Sequence, residues 1–277
     1  MPDRKLHLLV HWGLIAGGIA LVAVTILNLW DRHPEKTSAN TLNQSGLTHE
    51  EFLSWLNKSY NSLSWNAYQV APRLDRSMLE QSLDSGLYFI CNNQRLEGNF
   101  NYEYDFIKRQ ISTDDNQVRQ AGALWGLALI YQHTHDATAR EALDKGLDYL
   151  FAHTRDGPVQ GSLFIAYSDP SECRTGTVAL AALAIIEYLR IADTGSVQIE
   201  PERRKRLKYH LGGYLRFLEY MNLGNGNFAE SYAAETGARI NRSNPYYNGE
   251  ALLCLIKAAK YLGHTELMPL IDDAALR

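Results

Sequence analysis

The sequence predicts an all-α protein: repeated helical hairpins forming an α/α toroid or partial toroid, with short extended segments, after one N-terminal transmembrane helix. Three observations carry that expectation. An apolar run opens the chain, a Gly-x5-Tyr motif recurs at near-constant spacing, and two kinds of helix alternate around the motifs.

The apolar run, Leu6 to Trp30, reads LHLLVHWGLIAGGIALVAVTILNLW and contains no Asp, Glu, Lys or Arg. About 20 apolar residues in a helix cross a bilayer core. Trp12 and Trp30 lie near its ends, where indole rings favour the membrane interface. The run exceeds the roughly 7–15 residues of a signal-peptide core, and no small-residue cleavage site precedes Asp31 to Lys36. An uncleaved anchor is therefore expected over 6–30, after a short tail at 1–5. Residues 31–46 are polar and form a tether. Arg4 and Lys5 on one side balance Arg32 and Lys36 on the other. The shortness of the tail makes N-in, C-out the default, which places the bulk of this single-pass chain in the periplasm or outside the cell.

The remaining residues, 47–277, are expected to form one toroid-like domain. Its composition is that of a globular protein: 45% hydrophobic, 21% charged, formal net charge -4. No nucleic-acid partner is implied. The one dense cationic run, Arg203, Arg204, Lys205, Arg206 and Lys208, follows Glu200 and Glu202 and reads as the solvated face of a helix. Cys91, Cys173 and Cys254 are far apart and odd in number, and no C-x-x-C pair is present. Cys91 and Cys254 stand in apolar helical runs and read as buried free thiols.

The repeat comprises Gly98-NFNYE-Tyr104, Gly161-SLFIA-Tyr167 and Gly226-NFAES-Tyr232, at spacings of 63 and 65 residues. A stretch with one apolar stripe and one charged face precedes each motif: Leu79 to Asn93, Ala139 to His153 and Arg204 to Met221. A second stretch follows each, rich in Ala, Gly and Leu on all sides: Val118 to His133, Gly176 to Ile191 and Tyr247 to Leu262. Helices apolar all round are buried all round. Outer amphipathic and inner buried helices in alternation make two concentric layers.

The segments Gly98 to Tyr131 and Asn244 to Leu262, with their aromatic- and acid-rich loops, resemble the six-hairpin glycosidase-like superfamily. Within it they look similar to the catalytic region of glucuronyl C5-epimerases. The resemblance extends over roughly residues 75–265. It implies an α/α toroid acting on polysaccharide or oligosaccharide. Toroids of terpene cyclases, prenyltransferase subunits and lanthionine cyclases share the architecture, so fold alone does not fix function. Six hairpins of about 64 residues would need well over 300 residues, and about three and a half fit here. Either the sequence is a fragment of a longer toroid or the arc is open; an open arc exposes helix faces and invites a homo-oligomer or an envelope protein partner.

Loops entering the inner helices carry the candidate chemistry. Glu230, Glu172 and Asp105 are the candidate catalytic acids. Tyr102, Tyr104, Arg119, Arg174, Tyr232, Tyr246, Tyr247 and Glu250 are the candidate substrate contacts. Aromatic rings stack on sugar faces, and paired carboxyls serve as acid and base or nucleophile. Arginine forks hold a uronate, and a Tyr or Glu base beside one could take a C5 proton. Structural roles compete. Asp114 could cap a helix, Asp169 before Pro170 could make a turn, Arg119 could bridge hairpins, and the repeated tyrosines could pack. No metal or cofactor is expected, since H-E-x-x-H, G-x-S-x-G, Walker and Rossmann patterns are all missing.

The reading that follows is a membrane-anchored, polysaccharide-processing protein of the cell envelope: a glycoside hydrolase, lyase or uronyl epimerase. The alternative is a non-catalytic helical scaffold or glycan-binding subunit of an envelope assembly machine. A cyclase is weaker, because Arg119, Arg174 and Arg239 recur in the mouth loops.

Overall fold

The computed structural model describes residues 75–276 apart from 168–171, 194 and 196, with Glu172 placed by its backbone alone. The anchor 6–30, the tether 31–46, residues 47–74 and Asp169 lie outside the described residues.

Three helical hairpins follow one another, and the six helices expected around the repeated motifs are present within a few residues of their expected ends. Helix α1 (Arg76–Asn92) leads through the hairpin β1 (Tyr104–Asp105) and β2 (Gln110–Ile111) into α2 (Gln117–Thr134). Helix α3 (Ala137–Ala152) leads through β3 (Thr154–Asp156), β4 (Leu163–Ile165) and β5 (Glu172–Arg174) into α4 (Thr175–Asp193). Helix α5 (Pro201–Met221) leads through β6 (Ala229–Ala233) and β7 (Arg239–Ser243) into α6 (Pro245–Leu262). A 3-10 turn, Thr265–Leu267, and α7 (Met268–Ala275) close the described chain.

The inner helices pack side by side, with α4 between α2 and α6, while α3 packs on α2 and α5 on α4. Every residue of α4 from Thr175 to Leu189 is buried. Its alanines allow its neighbours close approach, as the sequence TGTVALAALAII demands. Helix α4 is also long and apolar enough to cross a membrane, but it is the enclosed centre of the core. The outer helices bury one face only: α3 buries Ala139, Ala142, Leu143, Gly146, Leu147, Leu150 and Phe151. Helix α1 has no fully buried residue, and only Leu87, Ile90 and Cys91 pack against the core.

The cationic run lies on α5, as expected, but is not simply solvated. Arg203 bonds the Asp144 carboxylate at 2.8 Å and also Asp148, and Arg206 bonds Asp148 at 2.8 Å. The charged face of α5 lies against the acidic face of α3, so the Arg203 side chain is only 13% exposed. Beneath it, His210 stacks on Phe151 with ring centroids 3.7 Å apart. At the C-terminal end of the inner layer, the fully buried Glu187 of α4 is paired with Arg190 and with Lys257 of α6.

The sequence repeat is a structural one. Gly98, Gly161 and Gly226 all adopt positive φ (106°, 74° and 78°), which a side chain disfavours. Two residues after each, the chain pairs back toward the end of its outer helix: Phe100 with Gln94, Leu163 with Asp156, Phe228 with Asn222. The inner helix then pins that turn. Gln120 accepts from Phe100 N at 2.7 Å and donates to Phe100 O at 2.8 Å. Asn248, at the matching place in α6, accepts from Phe228 N at 2.9 Å. The tyrosines of the motif diverge. Tyr232 is fully buried and donates to Ile165 O at 2.7 Å, Tyr167 packs edge-on to Tyr149, and Tyr104 stays exposed.

Candidate functional site

The site is built where the inner helices begin. Helix α2 starts at an Asn116 cap, whose side chain accepts from Arg119 N at 3.1 Å. The cap is thus Asn116 and not Asp114, whose backbone N–H turns instead to the Ser112 hydroxyl. Helix α6 starts likewise at Asn244, followed by Pro245. Strand β5 runs straight into helix α4, and the Thr175 hydroxyl donates to Ala229 O at 2.5 Å. That bond and the β5–β6–β7 sheet tie the start of α4 to the strands that precede α6.

Within the sheet, Arg174 pairs in register with Ser231. The β6–β7 ladder then slips, with Ala229 opposite Ser243 but Ser231 opposite Ile240, so β7 carries one extra residue against Glu230. A bulge of this kind re-aims the side chains beside it. Here Arg242 comes to face Glu230: its Nε lies 3.9 Å from Oε2, while Arg174 Nη1 lies 3.2 Å from Oε1. Glu230 is therefore bracketed by two guanidinium groups.

Glu250, one turn into α6, meets the opposite surroundings. Its Oε2 is buried without a hydrogen-bond partner among the described residues. Burial pushes its carboxyl up to about 7, because a buried carboxylate with no cation is costly. Tyr247 lies on the same side of α6. Burial raises its phenol, and it feels the charges of Arg174, Glu250, Glu230 and Arg119. A Cβ at Gly176, two residues after Arg174, would lie 2.3 Å from Glu250 Oε2 and 2.6 Å from Tyr247 Cδ1, so the start of α4 and this side of α6 are in close contact. Arg119 also lies 5.9 Å from the Tyr102 ring. The candidate site thus comprises Arg119 on α2, Arg174 on β5, Glu230 on β6 and Tyr247 and Glu250 on α6, with Tyr102 beside Arg119.

Among the described side chains, Asp105, Tyr104, Tyr246 and Tyr232 have other surroundings. Asp105 serves its own hairpin turn, accepting from Ile107 N and Lys108 N, both at 2.9 Å. The Lys108 backbone bond above all holds its carboxyl below the usual range. Tyr104 packs edge-on to Phe106 at 5.2 Å on the same exposed hairpin. Tyr246 projects into solvent, and Tyr232 is core. Glu172 lies opposite Ala233 in the sheet, and its side chain lies outside the described residues. Arg239 binds the carbonyls that end α5, Tyr220 O at 2.8 Å and Asn222 O at 2.6 Å. Two residues of the site are not apparent from sequence. Arg242 enters through a bulge that no motif announces, and Gly176, at the start of α4, reads in sequence only as one more small residue.

No protein-family model and no curated protein matches the sequence. Among solved structures, a D-mannose isomerase is similar over 74% of this chain and 53% of its own, at 16% identity and a TM-score of 0.56. The chain thus spans about half the length of that isomerase. A family 10 polysaccharide lyase from Cellvibrio cellulosa aligns with 62% of this chain and 61% of its own, at 12% identity and a TM-score of 0.45. An α-1,6-mannanase from Salegentibacter sp. HEL1_6 aligns with 72% and 68%, at 13% identity and a TM-score of 0.45. The likeness to the isomerase, at 16% identity, shows the fold alone: the described hairpins share an α/α toroid architecture, as the sequence led one to expect.

Proposed function

We propose that the chain processes carbohydrate at the cell envelope, as a glycoside hydrolase, lyase or uronyl epimerase held to the membrane by the apolar run 6–30. A polysaccharide or oligosaccharide would bind at the mouth formed by the starts of α2, α4 and α6. The observation that supports this reading is the Arg174–Glu230 pair at the start of α4, where Glu250 and Tyr247 of α6 crowd Gly176. Two carboxyls in contrasting surroundings, an aromatic face and guanidinium groups are the parts that sugar chemistry uses. A D-mannose isomerase on the same fold is consistent with a sugar substrate.

The test is turnover by the full-length chain in detergent micelles on a panel of neutral and uronic-acid polysaccharides. Reducing ends, unsaturated-uronate absorbance and solvent deuterium entry at C5 are followed together. The reading expects product by one of the three routes, and a fall of tenfold or more when Glu230→Gln disturbs the arginine-bracketed acid. Silence on every substrate from folded protein would sink it. Membrane attachment is checked by resistance to carbonate extraction, and outward placement by protease accessibility of residues 75–276 in intact cells.

A second reading rests on the hairpin β1–β2, where Tyr104, Phe106, Ile107 and Ile111 are all exposed. That surface suits a non-catalytic glycan-binding or scaffolding subunit, alone or as a homo-oligomer or with an envelope protein. Retention on polysaccharide without turnover, lost in Tyr104→Ala with Phe106→Ala, would favour it.

A further inference from the structure

We propose that Glu250, rather than Glu230, is the group that moves a proton at this mouth, and that Gly176 is the residue that positions it. The proposal rests on the carbohydrate-processing reading above. Its ground is steric. A Cβ at residue 176 would lie 2.3 Å from Glu250 Oε2 and 2.6 and 2.8 Å from Cδ1 and Cε1 of Tyr247. No other residue at 176 leaves room for the carboxyl and the ring where they stand. The backbone does not ask for glycine there, since Gly176 is not among the positive-φ positions. Glycine in a helix is unfavourable by up to about 1 kcal/mol relative to alanine. At this place it is explained by the space it leaves for α6.

That space decides the character of the two acids. Arg174 and Arg242 each face one oxygen of Glu230. Glu250 instead inserts its Oε2 against Gly176 at the start of α4, where it has no hydrogen-bond partner among the described residues. A carboxyl so placed keeps its proton near neutral pH and can deliver it.

In hydrolysis, the Glu250 O–H proton passes to the oxygen of the breaking sugar C–O bond. The electron pair of that bond stays on the oxygen, and Glu250 is left as carboxylate. A water adds its hydroxyl to the sugar carbon, and its other proton restores Glu250. Glu230, with its arginines, is then free to act on the water or on the developing positive charge. Gly176 touches no reacting atom and is a positioning residue.

The test uses the full-length chain in micelles with 13C-labelled glutamate carboxyls, titrated by NMR beside pH–rate profiles. One glutamate signal, lost in Glu250→Gln, should titrate near neutral pH. In Gly176→Ala the carboxyl is pushed into water, and that signal should become at least tenfold more acidic. An acid must be protonated to act, so activity falls as pH rises through its titration, and the alkaline limb should move to lower pH by the same factor. Glu250→Gln should lower kcat by roughly 100-fold or more with KM little changed. If Gly176→Ala does not fold, Tyr247→Ala opens the same space to water and should make the signal more acidic likewise. Titration of Glu250 in the ordinary carboxylate range, a signal unmoved by either variant, or near-normal turnover by Glu250→Gln would overturn the proposal. If no carbohydrate is turned over, the functional reading fails by itself, while the NMR titration still decides whether Gly176 holds Glu250 protonated.

Discussion

At the scale of single residues, Glu230 and Glu250 stand in opposite surroundings. Glu230 lies beside Arg174 and Arg242, while Glu250 is raised from 4.5 to about 7 by burial alone. The difference carries over to stability. A carboxyl raised on folding contributes stability that is fully present below its unfolded value and is lost as pH rises through its folded value. For Glu250 the window runs from about 4.5 to about 7. Each tenfold shift in acidity is about 1.4 kcal/mol, so partial solvent access leaves an effect on the order of 2 kcal/mol. Glu250→Gln removes the ionisation. Its stability should gain on the parent between pH 4.5 and pH 8 by about that amount, read from urea unfolding of both proteins across the range. A constant difference would show that Glu250 does not titrate on folding in this window.

At the scale of elements, the repeat turned out to be a device for joining an outer helix to an inner one. The positive-φ glycine turns the chain, and the residue two further on pairs back toward the outer helix. An amide four residues after the Asn cap of the inner helix holds that residue: Gln120 after Asn116, Asn248 after Asn244. The Gly-x5-Tyr spacing was legible because it is local. The pattern Asn-x3-Gln/Asn was equally present in the sequence, but its partner is 20 residues upstream, beyond the reach of helix periodicity. The middle repeat dispenses with the amide and uses the β3–β4 ladder in its place. Removing a partner from a buried backbone group costs about 1–3 kcal/mol. Gln120→Ala should lose that much and speed amide exchange at Phe100, and Asn248→Ala should do the same at Phe228. Exchange unchanged at both amides would mean that the turns hold themselves.

For the whole molecule, the enclosure of α4 is decisive. Ala179, Ala181, Ala182 and Ala184 are completely buried, between α2, α5 and α6. Enlarging a close-packed site costs about 1–3 kcal/mol. Ala181→Leu should therefore lower Tm by several degrees, whereas Ala137→Leu, on the exposed first turn of α3, should stay within about 0.5 kcal/mol of the parent. Equal effects at the two positions would contradict the assignment of α4 as the core and α3 as its cover. The cationic run on α5 belongs to the same scale. Its sequence reads as a solvated face, and only the packing of α5 on α3 turns Arg203 and Arg206 into partners of Asp144 and Asp148.

The sequence by itself determined the two layers and the order of the hairpins. Those features rest on periodicity and on backbone demands satisfied within a few residues. It also named Arg119, Arg174, Glu230, Tyr247 and Glu250. What it could not assign was which acid would stand among cations and which would be buried. Arg174 reaches Glu230 across 56 residues, and the space that Glu250 fills is left by Gly176, in a different helix. A carboxyl takes its character from the charges and the water around it, and in this protein both are set by contacts that exist only once α4 and α6 have come together.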